Sequence, residues 1–253
     1  MSTEDLLIQC PICNETAPEG YLLCPFCGAD LTITYQTKIF APVTYKEVWG
    51  RIKSLLSKPR VAFTDIANNP DSKGVTIFIF AISFGMALQI FALLMHNYFF
   101  SWRLPIIFIV MWLFSLLLPL FLWLIASFTI RTTARLLGGK GTKKQIRSVV
   151  GYGMLPLTLA SLFNGLLYVI ALPWNKTNIF DFAEIFTSMT RFRNSFAGIF
   201  GLIINILGFI AAGIYIVFML KPASNFSWIE ASISTGLPVI LFIALLLTYY
   251  FAA

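Results

Sequence analysis

The chain has 253 residues, of which 58 % are hydrophobic and only 11 % are charged. Soluble domains carry roughly 25 % charged residues, so this composition excludes an ordinary soluble enzyme and indicates a polytopic membrane protein. The formal net charge of +7 is better explained as a signal for membrane orientation than as a surface for nucleic acid.

The first 37 residues contain two Cys-x-x-Cys pairs that are separated by ten residues. Two such pairs can place four thiolates around one tetrahedral zinc ion, and a four-cysteine site leaves the metal no open position for catalysis. The pattern therefore predicts a zinc ribbon over residues 1–37 that holds one structural Zn²⁺. Two disulfides are the alternative, but they require an oxidising compartment, and the chain opens without the pattern of a secretory signal peptide. The predicted ligands are Cys10, Cys13, Cys24 and Cys27.

The predicted ribbon is acidic. Residues 1–37 hold five Asp and Glu and no Lys or Arg, which gives a net charge of −5 before the thiolates are counted. A surface of this sign repels phosphate, so we expect no nucleic-acid binding. The ribbon is predicted to dock a protein instead, either another chain or the basic loops of the same chain.

Residues 38–73 form a juxtamembrane segment with a helical pattern. Thr44 and Glu47 have the spacing of a capping box, and the predicted helix ends at Pro59. One face of it is apolar and comprises Val48, Trp49, Ile52, Leu55 and Leu56, whereas Lys46, Arg51, Lys53 and Lys58 lie largely off that face. Such a helix can lie on an anionic membrane surface or pack against the bundle itself. A second short helix is expected after Arg60, interrupted around residues 68–70.

Five apolar runs occupy residues 74–253, and each is long enough for a hydrocarbon core of about 30 Å. They cover residues 75–96, 104–130, 149–172, 196–220 and 233–251. With the N-terminus inside, the inner segments carry 14 Lys and Arg and the outer ones carry four. The positive-inside rule therefore predicts a cytoplasmic N-terminus and a C-terminus that is outside or lumenal. The predicted fold class is mainly α: a membrane bundle of five transmembrane helices with a small cytoplasmic β ribbon at the N-terminus.

The segment between the second and third runs is the most basic part of the chain and contains no acid. We predict that it contacts anionic lipid or a partner through Arg131, Arg135, Lys140, Lys143, Lys144 and Arg147. Glycines give this segment conformational freedom, and Gly151, Gly153 and Pro156 loosen the start of the third run. The segment is therefore either a flexible hinge that binds lipid headgroups or a loop that determines the membrane topology. In the second case the kink at the start of the third run is incidental.

The five runs contain no Asp, Glu, Lys or Arg, whereas ion-coupled and proton-coupled transporters usually keep such groups at membrane depth. The amides Gln89, Asn164 and Asn205 remain. They can hydrogen-bond across helix interfaces beside small residues, or they can line a path for a lipid or solute. A single His excludes a two-His zinc site, and no nucleophile motif is present, so we expect no enzymatic activity.

A short combination of motifs resembles a known family. Leu136-Leu137-Gly138-Gly139, the basic spacer, and Gly151-Tyr152 followed by Pro156 are similar to the Yip (Ypt/Rab-interacting protein) domain of five-span membrane proteins. The resemblance covers about residues 50–250, and the zinc ribbon in front of it suggests a prokaryotic member. It implies a cytoplasmic N-terminus and no enzymatic activity. In eukaryotes it also implies association with small GTPases of the Rab type, and with related membrane proteins, during membrane trafficking.

The sequence as a whole predicts a membrane-embedded adaptor or scaffold. The zinc ribbon and the basic segment would recruit a cytoplasmic or membrane protein partner or organise membrane lipids, and the chain could act as a homo-oligomer or a hetero-oligomer. The alternative is a carrier or channel for a neutral solute or lipid. A third reading is an assembly factor that shields the spans of other proteins.

Overall fold

The computed structural model describes residues 7–9, 15–18, 24–28, 43–95, 104–171, 187 and 190–252. The chain divides into two compact units, Met1–Phe40 and Ala41–Ala253. Residues 41–73 of the juxtamembrane segment belong to the same unit as the apolar helices.

The described part of the first unit contains two short antiparallel strands. Strand β1 spans Leu7–Gln9 and β2 spans Thr16–Pro18, with Gln9 opposite Thr16. A turn follows at residues 25–27, where the Gly28 N–H donates to the Cys24 carbonyl at 2.9 Å. Gly28 has φ +71°, a conformation that glycine adopts at little cost.

The described part of the second unit contains nine α-helices with full bounds, in addition to helical residues at 187 and 190–193. The nine helices are α1 Tyr45–Ser57, α2 Pro59–Asn68, α3 Lys73–Met95, α4 Leu104–Ser115, α5 Leu117–Leu136, α6 Lys143–Gly153, α7 Leu155–Ala171, α8 Phe196–Ser224 and α9 Trp228–Ala252.

Five helical stretches are long and apolar enough to cross a membrane, which confirms the predicted fold class. They are α3, α4 with α5, α6 with α7, α8 and α9. The helices extend beyond the predicted runs: α5 continues to Leu136 and α6 begins at Lys143. Helix α6 begins this early because Thr142 and Gln145 form a capping box, which satisfies backbone donors in its first turn.

Successive spans run in opposite directions, so one end of the bundle collects the start of α3, the turn between α5 and α6, and the turn between α8 and α9. We call it the basic end. Two hydrogen bonds connect its parts: the Lys140 N–H donates to the Ser224 carbonyl at 3.2 Å, and the Asp71 N–H donates to Ser148 Oγ at 3.2 Å. Helices α1 and α2 also lie at this end.

Helix α1 packs against the bundle, which was one of the two predicted arrangements. Val48 and Leu55 are fully buried, and Tyr215 Oη of α8 donates to the Leu55 carbonyl at 3.4 Å. The predicted position of Arg51 is wrong, because only 8 % of this residue is exposed and it lies on the packed face. Trp49, which the sequence placed with the apolar face, is 61 % exposed.

The interior proline of α9 has a compensating contact. Pro238 has no N–H to donate to the Ser234 carbonyl four residues earlier. Thr133 Oγ1 of α5 donates to that carbonyl at 3.4 Å instead. This contact joins the second and fifth spans.

Candidate functional site

A buried cluster of charges lies where α1 and α2 meet the start of α3. Arg51 Nε lies 2.7 Å from Asp65 Oδ2, and Arg51 Nη1 lies 2.7 Å from Asp71 Oδ2. The same Nη1 donates to the Asn69 carbonyl at 2.9 Å. One guanidinium therefore holds the end of α2 and the segment that leads into α3.

Asp71 is the centre of this cluster, and only 7 % of it is exposed. Its Oδ2 accepts a hydrogen bond from Tyr152 Oη at 2.8 Å, and its Oδ1 accepts one from the Gly74 N–H at 2.8 Å. Both carboxylate oxygens are thus satisfied, as a buried charge requires. The cluster connects α1, α3 and α6 through one side chain.

The Arg51 guanidinium remains charged in this setting. Burial lowers the pKa of Arg51, and the hydrogen bond to Asp65, the negative charge of Asp65 and the interaction with Tyr152 together raise the pKa. The net shift is upward. A charged guanidinium opposite two carboxylates is a stable ion-pair arrangement when its hydrogen bonds are complete.

The sequence did not reveal this cluster, although it singled out Tyr152. The tyrosine is fully buried beside Asp71. A Cβ on Gly74 would overlap the Tyr152 ring, and a Cβ on Gly151 would overlap Val75 of α3. Close approach of α3 and α6 therefore accounts for the Gly-Tyr pair in the motif.

The basic segment is more ordered than the glycines suggested. Helix α5 ends with the Gly139 N–H donating to the Ala134 carbonyl at 2.8 Å and the Gly138 N–H donating to the Arg135 carbonyl at 3.0 Å. Gly138 has φ +81°. This is the bonding pattern of a Schellman motif. Only residues 137–142 lie between the two helices, so five of the six basic residues belong to α5 or α6 and only Lys140 lies in the turn.

The structure separates the six basic residues into two groups. Arg131 and Arg147 are partly buried, and Arg147 lies against the Trp123 ring with 5.8 Å between its Cζ and the ring centroid. The other four are exposed: Arg135, Lys140, Lys143 and Lys144. None of the ion pairs found among the described residues joins the six to Asp65 or Asp71. The basic segment and the buried cluster are therefore distinct sites.

The start of the third span is interrupted at Met154, between α6 and α7. Pro156 is the second residue of α7, where its missing N–H costs no helical hydrogen bond. A Cβ on Gly153 would overlap Ile216 of α8. Gly153, like Gly151, therefore has a packing role. A hinge movement at the start of the third span stays a prediction.

The amides lie at helix interfaces. Gln89 Nε2 of α3 donates to the Ser161 carbonyl at 3.4 Å, and Asn164 Nδ2 of α7 donates to the Gly201 carbonyl at 3.1 Å. Asn205 is half-buried. A role for the three amides in a solute or lipid path stays a prediction.

The predicted metal site lies only partly within the described residues. Cys24 is buried and Cys27 is exposed at either end of the same turn, whereas Cys10 and Cys13 lie outside the described residues. Among the residues that the structure does describe, no group of three or more His, Cys, Asp or Glu could hold a metal ion. The zinc site therefore stays a prediction.

The helical bundle and its five apolar stretches define a multi-pass membrane protein. The sequence model of the Yip1 domain matches residues 53–249, which is most of the chain. The protein therefore belongs to the Yip1 domain family. No curated protein and no solved structure matches it.

Proposed function

We propose that the protein is a non-enzymatic membrane adaptor whose basic end faces the cytoplasm and recruits a protein partner with an acidic surface. The observation that carries this proposal is how far the basic turn, residues 137–142 between α5 and α6, extends beyond the apolar runs. Helix α5 ends six residues after the predicted apolar run, and α6 begins six residues before the next one. At 1.5 Å per residue the turn stands about 9 Å beyond the ends of the two apolar runs, which favours a turn that a soluble protein can reach.

The chemistry of this turn suits an acidic partner. Four exposed basic residues lie in or beside the turn, and Leu136 at the end of α5 is 82 % exposed. The Schellman motif and the Thr142 capping box fix the turn at both ends, so little conformational freedom is lost when a partner binds. The positive charge of the turn would steer an acidic partner towards it. The exposed apolar side chain of Leu136 would then provide a small buried contact.

The alternative role as a carrier or channel draws no support from the amide contacts. Gln89 and Asn164 donate to backbone carbonyls of neighbouring helices. One hydrogen bond from each amide nitrogen thus joins neighbouring helices, as expected for amides at span interfaces.

A charge-matched comparison tests the adaptor proposal. We expect replacement of Arg135, Lys140, Lys143 and Lys144 with Gln to lower the capture of acidic proteins from native membranes and cytosol by roughly tenfold, because exposed ion pairs contribute about 0.2–1 kcal/mol each. The control replaces four exposed basic residues in and between α1 and α2: Lys46, Lys53, Lys58 and Arg60. Quantitative mass spectrometry of co-purified proteins provides the measurement.

Equal capture by both charge variants would contradict the adaptor proposal. Loss of co-purified anionic lipid, with protein capture unchanged, would assign the basic turn to lipid organisation instead.

The N-terminal unit is proposed to supply a second docking module that is held together by zinc. Strand β1 ends at Gln9 and its partner β2 begins at Thr16, and the first Cys pair falls between them in the sequence. The second pair spans the turn that Gly28 closes. A four-thiolate donor set fits a structural zinc ion and no catalytic one.

We expect the purified full-length protein to contain one zinc ion per chain and the Cys24→Ser/Cys27→Ser variant to contain none, because two remaining thiolates cannot hold zinc tightly. Inductively coupled plasma mass spectrometry gives the metal content. Glu19→Gln is the control and should retain zinc. Metal-free wild-type protein, prepared without chelator, would exclude the ribbon.

A further inference from the structure

A groove of about 550 Å³ runs along the outer side of α3, between α3, α4 and α7. Lys73, Ile77, Phe80 and Phe84 line it at steps of four, three and four residues, so they lie on one face of α3. Tyr45 of α1 and Trp112 of α4 add to its walls. Its volume lies in the range of sites that hold small organic ligands.

The groove has one charged end and one apolar end. Lys73 lies at the basic end of the bundle, and Phe84 lies eleven residues further along α3. Eleven residues of helix span about 16 Å, which is close to half of a hydrocarbon core of about 30 Å. The groove therefore has the depth of one membrane leaflet, with its charge at the level of the headgroups.

The charge of Lys73 is available for a ligand. Its Nζ donates to the Val43 carbonyl at 2.8 Å and lies 4.9 Å from the centroid of the Tyr45 ring. These contacts fix the position of the ammonium group without neutralising it. No ion pair in the described part of the chain involves Lys73.

The deeper walls present apolar surface. Trp112 Nε1 donates to Ser83 Oγ at 2.9 Å, so the only polar atom of this side chain is satisfied by the protein. Phe80 and Phe84 both pack edge-on against the Trp112 ring. These rigid aromatic walls suit an acyl chain and offer nothing to a polar solute.

We infer that this groove binds a single anionic phospholipid, with the headgroup phosphate at Lys73 and one acyl chain along Phe80 and Phe84. A helix of a second copy fits less well, because a helix is about 10 Å in diameter and needs a face as long as the span, whereas the groove ends at Phe84, midway along α3. The site is separate from the basic turn and does not depend on the adaptor proposal.

Native mass spectrometry of the full-length protein with phosphatidylglycerol or phosphatidylcholine of identical acyl chains tests the site. We expect the wild type to retain one phosphatidylglycerol about fivefold more strongly than phosphatidylcholine, the contribution of one lysine near an anionic headgroup. Lys73→Gln should abolish this preference. Ala81→Trp, which fills the groove, should abolish retention of both lipids.

Lys221→Gln removes a charge from the same end of the bundle, where Lys221 lies over the Trp228 ring, and should keep the preference. Variants are compared only at an unchanged midpoint of thermal unfolding, and Lys73→Gln alone suffices if Ala81→Trp does not fold.

Equal retention of the two lipids by the wild type, a preference that survives Lys73→Gln, or displacement of the lipid by inorganic phosphate would overturn the inference. A dimer cross-linked through Ala81→Cys would assign the groove to a second copy and overturn it as well.

Discussion

Replacing Asp71 with asparagine is expected to lower the free energy of unfolding by about 3 kcal/mol, whereas Asp65→Asn should cost less than about 1 kcal/mol. Both carboxylates lie 2.7 Å from the same guanidinium, but the Asp71 side chain is 6 % exposed and that of Asp65 is 41 % exposed. The three partners of the Asp71 carboxylate are all donors: Arg51 Nη1, Tyr152 Oη and the Gly74 N–H. Asparagine puts an amide NH2 among these donors away from water, whereas water can take the place of the exposed Asp65 carboxylate.

The pair of variants is nearly isosteric, so changes in shape contribute little to the difference. Equilibrium unfolding in mixed micelles of a mild detergent and dodecyl sulfate, followed by tryptophan fluorescence, provides the free energies. Tyr152→Phe removes only the hydrogen bond to Asp71 and should cost about 1 kcal/mol. Equal losses for Asp71→Asn and Asp65→Asn would show that burial does not control the strength of this cluster.

The sequence predicted the spans well because the hydrocarbon core imposes one strong requirement. A helix that crosses it must be apolar over about 20 residues, and hydropathy alone reveals such runs. The capping residues Thr44 and Thr142 lie directly before α1 and α6. The first was predicted because capping chemistry is local. The second was missed, since the basic residues around it suggested a loop.

The buried cluster could not be predicted because its partners are far apart in the chain. Arg51 and Asp71 are 20 residues apart, and Asp71 and Tyr152 are 81 apart. Periodicity placed Arg51 with the solvent-facing lysines of α1. An arginine on that face is buried only if two carboxylates meet it there, and their positions depend on how α2 and α3 pack. The sequence therefore identified the residues at the basic end but not which charge lies inside.

The glycines also divide into one that the sequence predicts from local backbone geometry and others whose role depends on how the helices pack. Gly138 was predicted to need conformational freedom, and its positive φ confirms a turn that an L-residue adopts poorly. Gly74 and Gly151 have ordinary helical backbones, and their role is the close approach of α3 to α6. Small residues indicate helix contacts in membranes, but the sequence does not say which helices meet.

The crossing of α3 and α7 depends on two glycines that face each other. A Cβ on Gly85 would lie 2.6 Å from the carbonyl oxygen of Ser161, and one on Gly165 would lie 2.7 Å from the carbonyl oxygen of Gly85. Both obstacles are backbone atoms, so no change of rotamer relieves the overlap. Ser161 Oγ also donates to the Ile82 carbonyl at 3.0 Å across the same contact, and this bond lengthens if the helices separate.

Gly85→Ala is therefore expected to lower the free energy of unfolding by about 2–3 kcal/mol, the cost of inserting a methyl group where the structure has no room. Gly236→Ala is the matched control, because a Cβ at Gly236 of α9 meets no atom within 4 Å. Alanine is the better helix former, so the control should be neutral or more stable by up to about 1 kcal/mol. The same micelle titration measures both variants.

The double variant Gly85→Ala/Gly165→Ala distinguishes local overlap from a general loss of stability. If each added methyl group forces the same separation of α3 from α7, the second costs little once the first is present, and the combined loss should fall short of the sum of the single losses. Additive losses would mean that the two glycines act independently. A Gly85→Ala variant as stable as the wild type would mean that α3 and α7 are not in contact at Gly85 in the micelle-bound protein.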